Sequence, residues 1–264
     1  MPVSPTPIHV SRNASLPRKV FHFFRDRSPA EIRDAIRTHG ALRLAWNAGP
    51  GYLMDRRFDR RFGVQTVGSV SLSELTVGEL GREGGHLYDP LATRTCRSVL
   101  RQAVPDPRGH TFVDYGSGKG RVLFIASEQP YARAVGVEFA AELHEVARRN
   151  VRAYRNPRRR CPAIDVVHAD ARGFPVPAGP CVLHFFTPFD DHVLAEVMDG
   201  VRASYAADPR RIVVVFVTDP DSYPLPHAVL GTGPFARRPD PRMPFDPARR
   251  FRLQAAVYEA APPA

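Results

Sequence analysis

The sequence predicts an α/β protein with a doubly wound, Rossmann-like, mostly parallel sheet, helices on both faces, and an N-terminal helical or irregular extension. Two observations predict it. From residue 90 onward, short apolar runs alternate with segments of helical periodicity, as is typical of parallel strands joined by right-handed crossovers. Runs such as IVVVFV (212–217) are apolar throughout, as expected for strands covered by helices on both faces.

The first part of the chain departs from this pattern. Residues 1–27 are rich in Pro and Ser and indicate a loose arm. Ser28 can cap a helix that begins there and that Gly40 ends. Further along, VGSVSLSELTV (67–77) favours a short strand or an irregular cover segment.

We therefore divide the chain into an N-terminal arm and cover segment, residues 1–80, and a main domain, residues 81–264. The periodicity of apolar residues in the main domain predicts helices and strands in regular succession. They are a helix at 91–104, a strand at 111–115, a helix at 121–127, a strand at 132–139, a helix at 140–154, strands at 163–170 and 180–186, a helix at 190–206, and strands at 210–218 and 251–260.

An acidic residue stands at the end of the first predicted strand, directly before a loop with almost no side chains. TFVDYGSGKG (111–120) places Asp114 in the strand end and Gly116, Gly118 and Gly120 in the loop. Glycines let the backbone pass close beneath a ligand, and ligands of such sheets bind beyond the carboxyl ends of the strands. The stretch therefore predicts a binding site.

Two phosphate-binding glycine loops do not fit this stretch. A P-loop requires G-x-x-x-x-G-K-[ST], but Gly120 follows Lys119 and the upstream glycine is missing. A dinucleotide fingerprint requires G-x-G-x-x-G, but Arg121 occupies the place of the third glycine. The remaining pattern is D-x-G-x-G-x-G, with the acid in the strand end.

This pattern resembles the first motif of class I S-adenosylmethionine-dependent methyltransferases, and the resemblance extends from about residue 82 to residue 220. FVDYGSGKGRVLFIAS and VGVEFAAELHEVARRN look like a bacterial group of these enzymes with unassigned substrates. The first motif is also similar to that of Dot1-type lysine methyltransferases. The resemblance implies S-adenosylmethionine as the cofactor. It also implies that Tyr88 and Pro90 close over the cofactor, although the two could equally form a helix-start turn.

Acidic residues end three successive strands. Asp114 is expected to bind the ammonium end of the cofactor. Glu138 is expected to bind its ribose diol, and Asp170 is expected to accept a hydrogen bond from its adenine amino group. Each acid alone could be a helix cap or an ion-pair partner, whereas three together favour one binding site. The predicted cofactor-binding residues are Tyr88, Asp114, Gly116, Ser117, Gly118, Gly120, Glu138, Phe139, Asp170 and Ala171.

The fourth strand of the domain ends in FFTPFDD, which identifies Thr187 and Phe189 as candidate catalytic residues. In family members that methylate nitrogen, this motif reads Asn-Pro-aromatic or Asn-Pro-Pro-aromatic. Thr187 offers one hydroxyl where an amide offers both an acceptor and a donor, so N-methylation does not follow from the motif. Alternatively, Thr187 caps a helix that Pro188 starts, with Asp190 in its first turn.

The spacing of the histidines and cysteines predicts no metal site. His144, His168 and His184 fall within predicted helices and strands, and no cluster has the spacing of metal ligands. His86 and His192 remain candidate bases. The three cysteines are far apart, which excludes a disulfide framework, and Cys181 is expected to be a small buried hydrophobe.

Composition restricts the partners. The net charge is +10, which invites a nucleic-acid partner, but nearly all of the charge is Arg and the arginines are scattered. We therefore interpret it mainly as a solvated basic surface. The chain has neither a secretory signal nor an apolar run of the ~18 residues needed to span a membrane. A cytoplasmic protein without a membrane partner is expected.

The sequence therefore predicts an S-adenosylmethionine-dependent methyltransferase. Its acceptor could be a protein side chain, an RNA or a small metabolite, and positioning is expected to dominate the direct displacement. A non-catalytic scaffold or partner subunit that binds S-adenosylmethionine is the alternative.

Overall fold

A computed structural model describes residues 52–68, 70, 75, 88–220, 222–244 and 253–263 of the chain. Its centre is a seven-stranded sheet. The strands are β1 (Thr111–Tyr115), β2 (Arg133–Glu138), β3 (Ile164–His168), β4 (Cys181–Phe186), β5 (Ile212–Thr218), β6 (Ala236–Arg237) and β7 (Gln254–Ala260).

Six α-helices accompany these strands in the described residues. They are α1 (Tyr52–Phe62), α2 (Thr93–Ala103), α3 (Arg121–Ala126), α4 (Ala141–Ala153), α5 (Asp191–Ala207) and α6 (His227–Leu230), and a 3-10 turn covers Ala171–Gly173. None of them is both long enough and apolar enough to cross a bilayer.

The strand order is β3-β2-β1-β4-β5-β7-β6. Strands β1 to β5 are parallel, whereas β7 runs antiparallel between β5 and β6. The order reverses between β1 and β4, which makes the sheet doubly wound. The predicted fold class, a Rossmann-like and mostly parallel sheet, is confirmed.

All ten predicted helices and strands of the main domain are present, with ends that differ by a few residues. One difference concerns the start of α5, because Asp190 is its N-cap residue and Pro188 lies outside the helix. Helices α1 and α6 and strand β6 were not predicted from the sequence. The helix predicted between Ser28 and Gly40 lies outside the described residues.

The core has two layers, one on each face of the sheet. Successive strand residues point to opposite faces, so Val213 and Val215 of β5 pack beneath α2 and α3, while Val214 and Phe216 pack beneath α5. All of β5 is buried, as the apolar sequence of this strand predicted. Helices therefore cover both faces of the sheet.

The three cysteines are free and buried. Cys96 and Cys161 belong to the layer beneath α2 and α3, and Cys181 to the layer beneath α5. Burial raises the pKa of the Cys181 thiol to about 12 and raises the pKa of Cys96 and Cys161 as well. The prediction that Cys181 is a buried hydrophobe is confirmed.

Helix α1 packs against the domain that follows it in sequence. Its Phe58 and Phe62 rings belong to the core layer beneath α2 and α3. The Arg155 amide, just after α4, donates to the Phe62 carbonyl, and the Asn150 side chain exchanges two hydrogen bonds with the Gln65 backbone. The end of α1 is thereby fixed to the end of α4.

A buried arginine fixes the other end of α1. Arg121, the first residue of α3, is 1% exposed. Its Nη1 lies 2.5 Å from the Asp55 carboxylate, and its Nε donates to the Thr66 hydroxyl at 2.8 Å. Asp59 accepts hydrogen bonds from the backbone amides of Thr66 and Val67. These contacts join α1, the segment after it and α3 in one polar cluster.

We expect Arg121→Met to lower the free energy of unfolding by about 3 kcal/mol, because removing one partner leaves two partly buried carboxylates without their counter-charge. Urea denaturation measures this loss. Arg133→Met is the matched control, since Arg133 pairs with Asp165 at half-exposed positions and should cost less than about 1 kcal/mol. Equal losses in the two variants would contradict the prediction.

Candidate functional site

A crevice opens beyond the carboxyl ends of β1, β2 and β4, beside the point where the strand order reverses. Counted out to its open mouth, it has about 640 Å³ of space. The glycine loop forms its floor, and the segment from Tyr88 to Leu91 contributes to its wall. This position is the usual ligand site of doubly wound sheets.

The glycine loop connects β1 to α3 in a conformation that favours glycine. The φ angles of Gly116, Gly118 and Gly120 are all positive, at 72°, 53° and 87°. The amides of Gly116 and Ser117 donate to the Val137 carbonyl of β2, which holds the loop over the next strand. A Cβ atom on Gly116 would lie 2.5 Å from the Cβ of Pro188.

Tyr88 lies directly on this loop. A Cβ atom on Gly118 would lie 2.2 Å from the Tyr88 ring, and the Lys119 ammonium lies 4.8 Å from the ring centroid. The Tyr88 hydroxyl donates to the Thr66 carbonyl at 2.8 Å. Tyr88 therefore connects the glycine loop to the segment after α1, and both Tyr88 and Pro90 line the crevice.

Asp114 forms a buried pair with a histidine on the neighbouring strand. It is adjacent in register to His184 of β4, and His184 Nδ1 lies 2.7 Å from Asp114 Oδ1. An ionised carboxylate only accepts hydrogen bonds, so an ionised Asp114 would take this bond from a proton on Nδ1. The Nε2 atom of His184 is buried and has no hydrogen-bond partner among the described residues. Asp114 itself lines the crevice.

Glu138, at the end of β2, lies on the other side of the loop. It is 3% exposed, and its oxygens accept hydrogen bonds from the amides of Gly118 at 2.7 Å and Ala140 at 2.9 Å. Burial raises the Glu138 pKa to about 7, the two amides partly oppose this, and the charge of Asp114 adds to it. The site thus combines two buried carboxylates.

We expect this pKa to make stability depend on pH. Because the Glu138 pKa is about 7 in the folded chain and 4.5 for an unperturbed glutamate, the folded state binds more protons between these values. The free energy of unfolding should therefore fall as pH rises through this window, by about 3 kcal/mol. Urea denaturation at several pH values measures the fall.

Two variants test the origin of this pH dependence. Glu138→Gln, which does not titrate, should lose the fall. Glu145→Gln is the control, because Glu145 forms a half-exposed surface pair with Arg148 and should keep the wild-type profile. A Glu138→Gln profile that runs parallel to that of the wild type would show that Glu138 is not the group responsible.

Some of the other predicted cofactor residues lie in the crevice and some do not. Ser117 and Phe139 line it, and the buried Ser117 hydroxyl has no hydrogen-bond partner among the described residues. Asp170 and Ala171 follow β3 but are not among the lining residues. The Asp170 carboxylate caps the 3-10 turn and pairs with the Arg172 guanidinium at 2.5 Å, which lowers the Asp170 pKa.

The two candidate catalytic residues are placed differently from each other. Thr187 lines the crevice, and its φ of 39° is the only positive φ of a non-glycine residue in the described part of the chain. Its hydroxyl donates to the Val217 carbonyl at 3.2 Å. The ring of Phe189 is buried in the core against Phe185, whereas Phe186 reaches the crevice.

Of the two candidate bases, only His192 belongs to the described residues, and it does not line the crevice. His192 is exposed on α5 and pairs with Glu196 of the next turn at 3.1 Å, and His86 lies outside the described residues. Among the residues that the structure describes, no group of histidine, cysteine and acidic side chains could hold a metal ion.

Sequence reasoning missed two features of this site. It interpreted His184 only as a packed or solvated residue, and it assigned the segment after α1 to a cover segment without predicting its contacts with Tyr88 and Arg121. Pairing β1 with β4 would have placed Asp114 beside His184, but sequence does not fix strand neighbours. No local signal links Arg121 to α1, because that contact joins segments far apart in sequence.

No protein-family model and no curated protein matches the chain. Among solved structures, the chain is similar to TrmN from Thermus thermophilus, with 18% identity, a TM-score of 0.46, and coverage of 64% of this chain and 49% of TrmN. It is also similar to the putative methyltransferase yhhF from Escherichia coli, with 16% identity, a TM-score of 0.47, and coverage of 66% and 89%. The aligned part spans about half the length of TrmN.

Proposed function

We propose that this protein is an S-adenosylmethionine-dependent methyltransferase that transfers a methyl group directly to its acceptor. One observation carries the proposal: Asp114 and Glu138, both buried, flank a glycine loop at the tips of neighbouring strands. S-adenosylmethionine has an ammonium group and a ribose diol, which are hydrogen-bond donors that suit carboxylate acceptors.

Asp114 argues against a phosphate-bearing cofactor. Dinucleotides bind with their pyrophosphate at a helix N-terminus, and the buried Asp114 carboxylate, which lines the crevice beside the glycine loop, would repel a phosphate there. The place of the third fingerprint glycine is taken by Arg121, whose side chain is turned toward α1. A nicotinamide cofactor therefore fits the crevice poorly.

The lining residues suggest how S-adenosylmethionine would be held. Asp114 would accept hydrogen bonds from its ammonium group, and Glu138 from its ribose hydroxyls. Phe139 and Leu143 line the same end of the crevice and would give the adenine an apolar contact. Because Asp170 pairs with Arg172, we assign the adenine contact to Phe139 and Leu143 in preference to Asp170.

The cofactor supplies a methyl group bound to a positively charged sulfur, which a nucleophile can displace directly. The contribution of the chain is to position the reactants and to exclude water. Tyr88 lies against the glycine loop, and Pro90 lines the same crevice, as do Phe186 and Thr187 at the end of β4. The described crevice contains no histidine that could act as a general base.

A non-catalytic scaffold that binds S-adenosylmethionine is the second candidate. It is favoured by the position of Phe189, whose ring is buried in the core and does not reach an acceptor, and by the Thr187 hydroxyl, which is bonded to the Val217 carbonyl. Together the two residues do not supply the amide and the exposed aromatic ring that the Asn-Pro-aromatic motif would present to an amine acceptor.

Two measurements test these functions in turn. Isothermal calorimetry with S-adenosylmethionine should show one site per chain, and absence of binding would overturn both candidates. Transfer of tritiated methyl groups into fractionated lysate should then label an acceptor. Binding without labelled product would favour the scaffold.

A further inference from the structure

Two arginine-rich segments that are far apart in sequence meet on one surface. Helix α1 carries the first, and the end of α4 with the loop after it carries the second. They meet because the Phe62 and Tyr154 rings pack at 5.8 Å and the Arg155 amide bonds to the Phe62 carbonyl. The arginine surface consists of six exposed residues: Arg57, Arg60, Arg61, Arg152, Arg155 and Arg158.

No acidic side chain forms a close ion pair with this surface in the part of the chain that the structure describes, and Glu128, whose charge acts on Arg158, is itself paired with Arg97. None of the six arginines forms an ion pair with a described carboxylate. The two acids of α1, Asp55 and Asp59, are directed toward Arg121 and the backbone of Thr66. Residues 148–161 contain seven arginines and no acid.

Among the side chains that the structure describes, none on this surface is an exposed apolar group that would enter a bilayer or anchor a protein partner. The two phenylalanines of α1, Phe58 and Phe62, are buried in the core. Membrane-surface helices expose such residues beside their basic face, and protein interfaces rely on apolar anchors. Guanidinium groups without apolar neighbours suit a chain of phosphates.

We propose that the arginine surface binds the phosphate backbone of RNA. The choice of RNA over DNA rests on the proposed function, for which RNA is one of the possible acceptors. Helix α1 connects the surface to the crevice, because Asp55 near its start pairs with Arg121, which lines the crevice. The eleven residues of α1 span about 16 Å, so RNA on the surface has nucleotides within reach of the crevice.

Fluorescence anisotropy with a labelled single-stranded RNA of mixed sequence tests this proposal on the full chain. Arg57→Gln/Arg60→Gln/Arg152→Gln should raise the dissociation constant about 100-fold at 0.1 M salt. The slope of log affinity against log salt should become shallower by about 2, since about 0.7 is lost per phosphate contact. Thermal unfolding checks that the variant is folded.

The control removes the same charge from other elements. Arg101→Gln/Arg108→Gln/Arg237→Gln alters three exposed arginines outside the surface and should change the RNA affinity less than twofold. Equal weakening by both triple variants would overturn the proposal, because binding would then follow net charge alone. Duplex DNA or phosphatidylserine vesicles that bind as tightly as RNA would overturn it too.

Calorimetry with S-adenosylmethionine on the same samples separates the two proposals. If the wild-type chain binds S-adenosylmethionine but not RNA, only the RNA surface is overturned. Absence of cofactor binding with intact RNA binding would overturn only the methyltransferase.

Discussion

Asp114→Asn should raise the dissociation constant of S-adenosylmethionine about 100-fold, equivalent to about 2.7 kcal/mol. The variant removes the negative charge that we assign to the cofactor ammonium group while keeping the size of the side chain. The asparagine oxygen can still accept the hydrogen bond from His184 Nδ1, which lies at 2.7 Å in the wild type. The fold should therefore persist, and calorimetry should report the change as lost affinity.

The matched control is a buried carboxylate elsewhere. Glu128, whose side chain is 5% exposed, accepts two hydrogen bonds from Arg97 at 2.6 and 2.8 Å and does not line the crevice. Glu128→Gln should lower stability by about 3 kcal/mol and leave cofactor affinity unchanged. Wild-type affinity in Asp114→Asn would remove Asp114 from the site.

Gly118→Ala should lower the free energy of unfolding by about 3 kcal/mol, of which about 1 is backbone strain at a positive φ. The remainder comes from the new methyl group, whose position lies 2.2 Å from the Tyr88 ring. The ring must move, and its hydrogen bond to the Thr66 carbonyl breaks as it does so. Urea denaturation measures the loss.

Two further variants isolate the contribution of the ring. Gly109 has a φ of 76° and open space around its would-be Cβ, so Gly109→Ala should cost only the strain, about 1 kcal/mol. In a Tyr88→Ala background, Gly118→Ala should cost the same small amount, which a double-mutant cycle measures. A full cost that persists without Tyr88 would show that the ring is not the obstacle.

The main domain could be predicted closely because its elements are encoded locally. Apolar runs such as 212–217 become strands wherever helices can cover them, and the spacing of the apolar residues in 140–154 favours a helix. The glycine loop could also be predicted from the sequence, since its three glycines have the positive φ angles that glycine tolerates.

Contacts between distant segments could not be predicted in this way. Nothing near Arg121 in sequence indicates that it pairs with Asp55. Helix α1 was not predicted because the apolar residues in that part of the chain show only weak helical periodicity. The ring of Phe189 was expected near the acceptor, but Phe189 packs into the core while Phe186 faces the crevice. The positive φ of Thr187, which lies between them, could not be predicted from the sequence.

Because the three cysteines are buried, the rate at which their thiols are alkylated would report transient exposure of the core. A thiol must lose its proton and meet the reagent before it can be alkylated, and the elevated pKa of Cys181, about 12, opposes the first step while burial blocks the second. Iodoacetamide should therefore modify Cys96 and Cys181, one from each core layer, at rates that follow the transient exposure of that layer. Comparing the two alkylation rates would show whether the core layers on the two faces of the sheet become exposed together or one before the other.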